Sequence, residues 1–249
     1  DINFDVGRIE GYRNFCNKLW NATRFVFMKI EGHPLDAVDA AHETVFDRWI
    51  RSSLQKTEAR VEAAIEQYRF DLASQAIYEF VWNEYCDWYL ELTKPILADG
   101  GAPSEVQAAT RRTLVGVLET ILRLAHPLMP YITEELWQQV APKIGLGGET
   151  ISKAPYPVAD PSKEDPQAEA DVAWMKSVIV AVRTIRGEMN VSPGRAIPML
   201  LTGGDTADRD RLDRLHSLIT TLAKLTEARF IGPDESMPPS STQLIGTLE

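Results

Sequence analysis

The chain has 249 residues, enough for one large domain or two smaller ones with real cores. Apolar residues make up 44%, which excludes a disordered chain, and no run approaches the ~18 apolar residues of a membrane-spanning helix. A net charge of −10 excludes nucleic-acid binding by the surface as a whole, though not by one basic element. The chain opens on Asp1 without an apolar leader, which reads as a piece of a longer protein. Cys16 and Cys86 sit alone on helical patterns and read as free thiols of a cytoplasmic protein.

The first helix is expected from about Val6 to Lys29, ended by Gly32, His33 and Pro34. Within it, RNFCNKLWNATRFV has three faces. Phe15, Leu19, Ala22 and Val26 form a core stripe. Asn14, Lys18, Asn21 and Phe25 form a polar and basic stripe with one ring at its end. Arg13, Trp20 and Arg24 mark a third. Amides, cations and rings side by side suit single-stranded RNA: rings stack on bases, amides bond base edges and cations hold phosphates. Residues 7 to 29 carry Arg8, Arg13, Lys18, Arg24 and Lys29 against Glu10 alone, a net +4. On charge alone the plainer reading, a helix balanced by acidic neighbours, is preferred.

A second helix carries Phe46, Ile50, Leu54, Val61, Ile65 and Tyr68 on one face. Asp71 is expected to cap a third, centred on YEFVWNEYCDWYLEL and ended by Pro95. That helix is apolar or aromatic nearly all round and belongs inside a bundle, with Trp82, Tyr85 and Tyr89 on one face. Ser104 and Gln107 form a capping-box pattern for a fourth helix, whose buried face is Leu114, Leu118, Ile121, Leu122 and Ala125. His126-Pro127 and Pro130 interrupt it, and Thr133 starts a short fifth helix. His126 reads as structural, bonding a freed carbonyl. The class is mainly α, an antiparallel helical bundle over 1–154. Residues 155–166, PYPVADPSKEDP, read as a linker. An α-β-α-β appendage follows over 167–232, with strands in AIPMLL and ARFIG and a possible third in STQLIG. Residues 233–249 read as a flexible tail.

No phosphate-cradling loop, metal-ligand spacing or catalytic triad stands out, so the segment reads as noncatalytic. In order and spacing, RNFCNKLWNATRFV, YEFVWNEYCDWYLELTKP and HPLMPYITEELW resemble the anticodon-binding region of class I aminoacyl-tRNA synthetases. AVRTIRGEMNVSPG resembles the valyl members more than the isoleucyl or leucyl ones. The resemblance runs from residue 1 to about 235. It implies a tRNA(Val) partner, contacted at the anticodon loop. It also implies missing catalytic, editing and coiled-coil domains of the same chain, a monomer, and no membrane. It implies no cofactor in this segment, with ATP and Mg belonging to the catalytic domain, whose HIGH and KMSKS sequences do not occur here. Carried over by position, Phe25 would stack on or wedge against a base and Leu90 would wall it. Lys18 and Arg24 would bond base edges or phosphates. Arg8, Arg13, Asn14 and Asn21 complete the expected site. Arg24 lies about 100° around the helix from Phe25, so both serve one loop only if it wraps the helix or if their side chains lean together. The alternatives are a sibling isoleucyl or leucyl enzyme and, in another class, a helical protein-interaction module without RNA.

Overall fold

The computed structural model describes residues 6–232, 235, 240–246 and 248. The first helix, α1, spans Val6–Ile30 and buries the expected stripe of Phe15, Leu19, Ala22 and Val26. It stops at Gly32, whose left-handed φ of +74° costs glycine nothing. Helix α2, Val45–Glu66, opens on a reciprocal capping box between Thr44 and Asp47. Phe46, Ile50, Leu54 and Val61 of its expected face are buried. Ile65 and Tyr68 are not. Tyr68 lies beyond the helix end in the left-handed region (φ +57°), where its N–H bonds the Ile65 carbonyl and that of Arg69 bonds Ala64. This pairing is a Schellman stop, and it turns the ring out to 82% exposure.

The third helical run has three parts: α3 (Phe70–Glu79), a π-helical segment π1 (Phe80–Tyr89) and α4 (Leu90–Ile96). Asp71 does not cap it. Arg69 holds the N-cap position, and Asp71, inside the first turn, forks onto the Arg69 guanidinium at 2.9 and 2.6 Å. Pro95 does not end it either; the helix continues to Ile96, and the chain then folds back so tightly that a methyl on Gly101 would run into the Pro95 carbonyl. Helix α5 (Ser104–Ala125) starts from Pro103, and its capping box is not formed. Ser104 is already inside the helix and its hydroxyl turns to Glu105, while Gln107 donates to the carbonyls of Ala98 and Ala102. The expected face of α5 is buried throughout. Helix α6, Pro130–Val140, begins three residues before Thr133, with Pro130 in the first turn, where a missing N–H costs nothing. His126 bridges the hydroxyls of Thr133 (2.8 Å) and Ser152 (2.9 Å) in place of a carbonyl.

Contacts at both ends set the helix directions. Arg60 of α2 pairs with Glu79 of α3, and Asp47 at the other end of α2 meets Tyr89, so the two runs are antiparallel. Residues 155–166 lie along the bundle. The N–H groups of Asp160 and Asp165 donate to Gln55 (2.7 Å) and Ser52 (2.8 Å), and Tyr156 donates to the Leu124 carbonyl.

The chain divides into two compact units, Asp1–Ala168 and Glu169–Glu249. In the second, α7 (Pro166–Glu188) leads to β1 (Ile197–Leu201), α8 (Thr206–Leu222) and β2 (Leu225–Phe230), and the two strands pair in parallel. Arg186, 7% exposed, donates to the carbonyls of Ser192, Arg195, Ala223 and Lys224, tying α7 to both flanking turns. Buried Asp171 accepts from Arg211 and Arg214 of α8. STQLIG adds no strand among the described residues; Leu248 makes only single bridges, to Gly203 and Ile245. Gly204, with φ +68°, sits where a Cβ would lie 2.5 Å from Leu248.

Inside the bundle, Asp47 joins three helices. Its carboxylate accepts from Tyr89 (2.5 Å), Thr110 (2.9 Å) and the Thr44 hydroxyl (2.7 Å) and N–H (2.9 Å). Burial raises its pKa even though these donors pull the other way. Replacing it strands two buried hydroxyls and removes a helix cap. Asp47→Ala is therefore expected to lower the unfolding free energy by about 3 kcal/mol, read from urea denaturation followed by circular dichroism.

Candidate nucleic-acid interface

Helix α1 runs beside the third helical run and in the same direction, because their contacts advance together. Phe15 stacks on Tyr78 with ring centroids 5.2 Å apart, and Tyr78 stacks on Trp82 at 5.4 Å. One turn on from Phe15, the Lys18 ammonium lies 4.0 Å from the Trp82 centroid and 2.5 Å from Asp87 Oδ1. At the far end, the Lys29 and Lys94 ammonium groups lie 5.8 and 5.9 Å from the Phe25 centroid, and Lys94 also pairs with Glu91 at 2.6 Å. The result is a seam with a ladder of rings at one end and a ring near two cations at the other. A π face near cations attracts a stacked base and its phosphate together.

The π1 segment makes this seam possible. In an α-helix residues i and i+5 diverge, whereas π-helical winding brings them close to one side. Trp82 and Asp87 thus both reach Lys18. The same winding separates the three aromatics expected on one face: Tyr85 and Tyr89 are fully buried, and half-buried Trp82 stays at the seam. Tyr85 donates to the Leu114 carbonyl at 2.8 Å, which fastens π1 to α5.

The expected site residues fall into different situations. Arg24 is exposed and has no ion pair among the described residues. Phe25 is half-buried. Asn14 and Asn21 are exposed along the same stripe. Lys18 is half-buried and committed to Asp87 and Trp82, so it is not the free cation its stripe suggests. Arg13 pairs with Glu10 at 3.3 Å, both largely exposed, an attachment that water screens strongly. Leu90 is only 7% exposed, so little of its side chain is offered to a partner. The side chain of Arg8 lies outside the described residues. Sequence reasoning missed Tyr78, Asp87 and Lys94, which enter only because another helix lies alongside. Lys29 had entered it as part of a charge count and not as a partner of Phe25.

Of the two thiols, Cys86 is buried, which pushes its pKa up to about 12, and Cys16 lies 4.0 Å from the Met129 sulfur. Among the described residues no group of three or more His, Cys, Asp or Glu could hold a metal ion. Among the same residues no helix is long and apolar enough to cross a membrane.

The fold is a helical bundle that gathers rings and cations between its first and third helical runs. The family model described as the anticodon-binding domain of tRNA ligase matches residues 47–201, and the chain belongs to that family. It is 51% identical over 99% of its length to a valine–tRNA ligase of Acinetobacter baylyi. It is 47% identical over its full length to one of Stenotrophomonas maltophilia, and 44% to one of Legionella pneumophila. The chain covers 25%, 26% and 27% of those three relatives, so it spans about a quarter of their length.

The contrast between Lys18 and Arg24 is measurable without RNA. Lys18→Met is expected to lower stability by about 1 kcal/mol, because it removes an ion pair and a cation–π contact together. Arg24→Ala is expected to change it by less than about 0.5 kcal/mol. Urea denaturation of the two variants beside the parent chain checks both values.

Proposed function

We propose that this chain is the part of a valine–tRNA ligase that reads the anticodon of tRNA(Val). The whole enzyme would attach valine to that tRNA with ATP and Mg bound in a catalytic domain elsewhere in the same polypeptide. This segment would supply recognition and no chemistry. It would work in the cytoplasm, within a monomeric enzyme, alongside the catalytic, editing and coiled-coil domains.

The observation that carries the reading is Phe25: a half-buried ring with the Lys29 and Lys94 ammonium groups 5.8 and 5.9 Å from its centroid, at the end of the seam away from the ring ladder. A splayed-out base would stack on that ring. The two ammonium groups and the unpaired Arg24 would hold the flanking phosphates, and Asn21 would be free to bond a base edge. Lys18, held by Asp87, would present its remaining N–H donors in a fixed direction. Asn14, Arg13 and Arg8 would extend the contact toward the start of α1.

In the full-length enzyme, Phe25→Ala is expected to weaken tRNA(Val) binding by about 1–3 kcal/mol, the cost of one lost base stack. Arg24→Ala is expected to reduce the slope of log affinity against log salt by about 1, as one phosphate contact disappears. Filter-binding titrations over a salt series measure both. Unchanged affinity in both variants, with folding intact, would contradict the assignment.

A further inference from the structure

The bundle contains a second polar feature on different helices. A cavity of about 560 Å³ opens between α2, α5 and the segment around Tyr156–Lys163. Glu58 lines it. This residue is 5% exposed; its side chain bonds Gln55, but its Oε2 has no hydrogen-bond partner among the described residues. A buried carboxylate oxygen without a donor costs folding free energy, and its retention calls for a ligand. The four cationic side chains around the cavity are not equivalent. Arg51 pairs with Glu43, Arg123 forks onto Glu119 at 2.8 Å, and Lys163 pairs with Asp160 at 3.2 Å. Among the described residues Arg112 has no carboxylate partner, and its guanidinium donates to the Leu35 carbonyl. Among the described residues, the cavity lining therefore includes one unsatisfied acceptor, on Glu58, and one guanidinium without an anion, on Arg112.

We propose that this cavity binds a small molecule with an ammonium or other N–H donor at one end and an oxyanion at the other. Glu58 takes the donor and Arg112 the oxyanion. The terminal torsion of a glutamate turns easily, so either carboxylate oxygen can face the bound donor. The Glu58 carboxyl agrees with this assignment. Burial pushes its pKa up to about 7 while Arg123 and Lys163 pull it down, and a bound ammonium would pull it down further. Neither Glu58 nor Arg112 belongs to the α1 seam, so this site stands or falls independently of anticodon reading.

Phosphoethanolamine, which carries both groups, is the probe, with ethanolamine and inorganic phosphate as its two halves. Calorimetry and amide-resolved NMR on the 249-residue chain read the binding. Phosphoethanolamine is expected to saturate one site, at least tenfold more tightly than either half, with shifts centred on Glu58 and Arg112. The titration midpoint of the Glu58 carboxyl is expected to fall when the probe is bound. Glu58→Gln and Arg112→Gln are each expected to weaken binding at least tenfold. Glu58→Gln keeps the side-chain shape and removes a buried charge, so it folds at least as well as the parent. Absence of saturable binding overturns the proposal, as does equal binding of either half alone. Undiminished binding by the Glu58→Gln chain overturns it as well.

Discussion

A single buried carboxylate, Asp47, holds the bundle in register. It caps the start of α2 through Thr44, receives the Tyr89 hydroxyl from the end of π1, and receives the Thr110 hydroxyl from α5. Three elements far apart in sequence thereby meet at one pair of oxygens. Burying a carboxylate is unfavourable unless donors surround it, so the arrangement tolerates only one relative placement of these helices. Tyr89 is the last residue of π1 and Leu90 the first of α4, so anchoring one positions the other. Lys94, one turn further, is then set beside Phe25 of α1. The seam inherits part of its geometry from a carboxylate buried inside the bundle.

The second determinant is the change of helical winding. Ten residues of π-helix rotate Trp82 and Asp87 onto a common side, where Lys18 engages both. An α-helix with the same sequence would separate them, so that Lys18 could not engage both. The ladder of Phe15, Tyr78 and Trp82 then ties α1 to the third run along the half of the seam away from Phe25. One end of the seam is held by aromatic packing. The other end carries the half-buried Phe25 ring with two cations near it, which suits a surface that must accept a base.

Much of this was legible in the sequence. Helix α1 showed its core stripe because an amphipathic surface helix repeats every 3.6 residues, and all four residues of that stripe are buried. The buried face of α5 was legible for the same reason. The third run was not. Its centre is apolar nearly all round, so no periodicity separates α from π winding. Asp71 and Ser104 carry the chemistry of caps, but each lies inside its helix, one or two residues past the N-cap position, which Arg69 and Pro103 hold. Asp47 resembles any acidic residue of a first helical turn; its other donors come from residues 42 and 63 positions away. Likewise Lys94 gains meaning only from the ring opposite it. Arg186 was part of a family-like motif, but nothing local indicated that it would be buried beneath four carbonyls.

The central claim is that the seam between α1 and the third helical run takes up the anticodon bases. The most direct measurement is an amide chemical-shift map of the labelled chain titrated with an anticodon stem-loop. The account predicts that shifts cluster at residues 18–29 and 87–94, and that changing the middle base of the valine anticodon abolishes them. Shifts centred on other helices, or an identical map with the altered base, would contradict it.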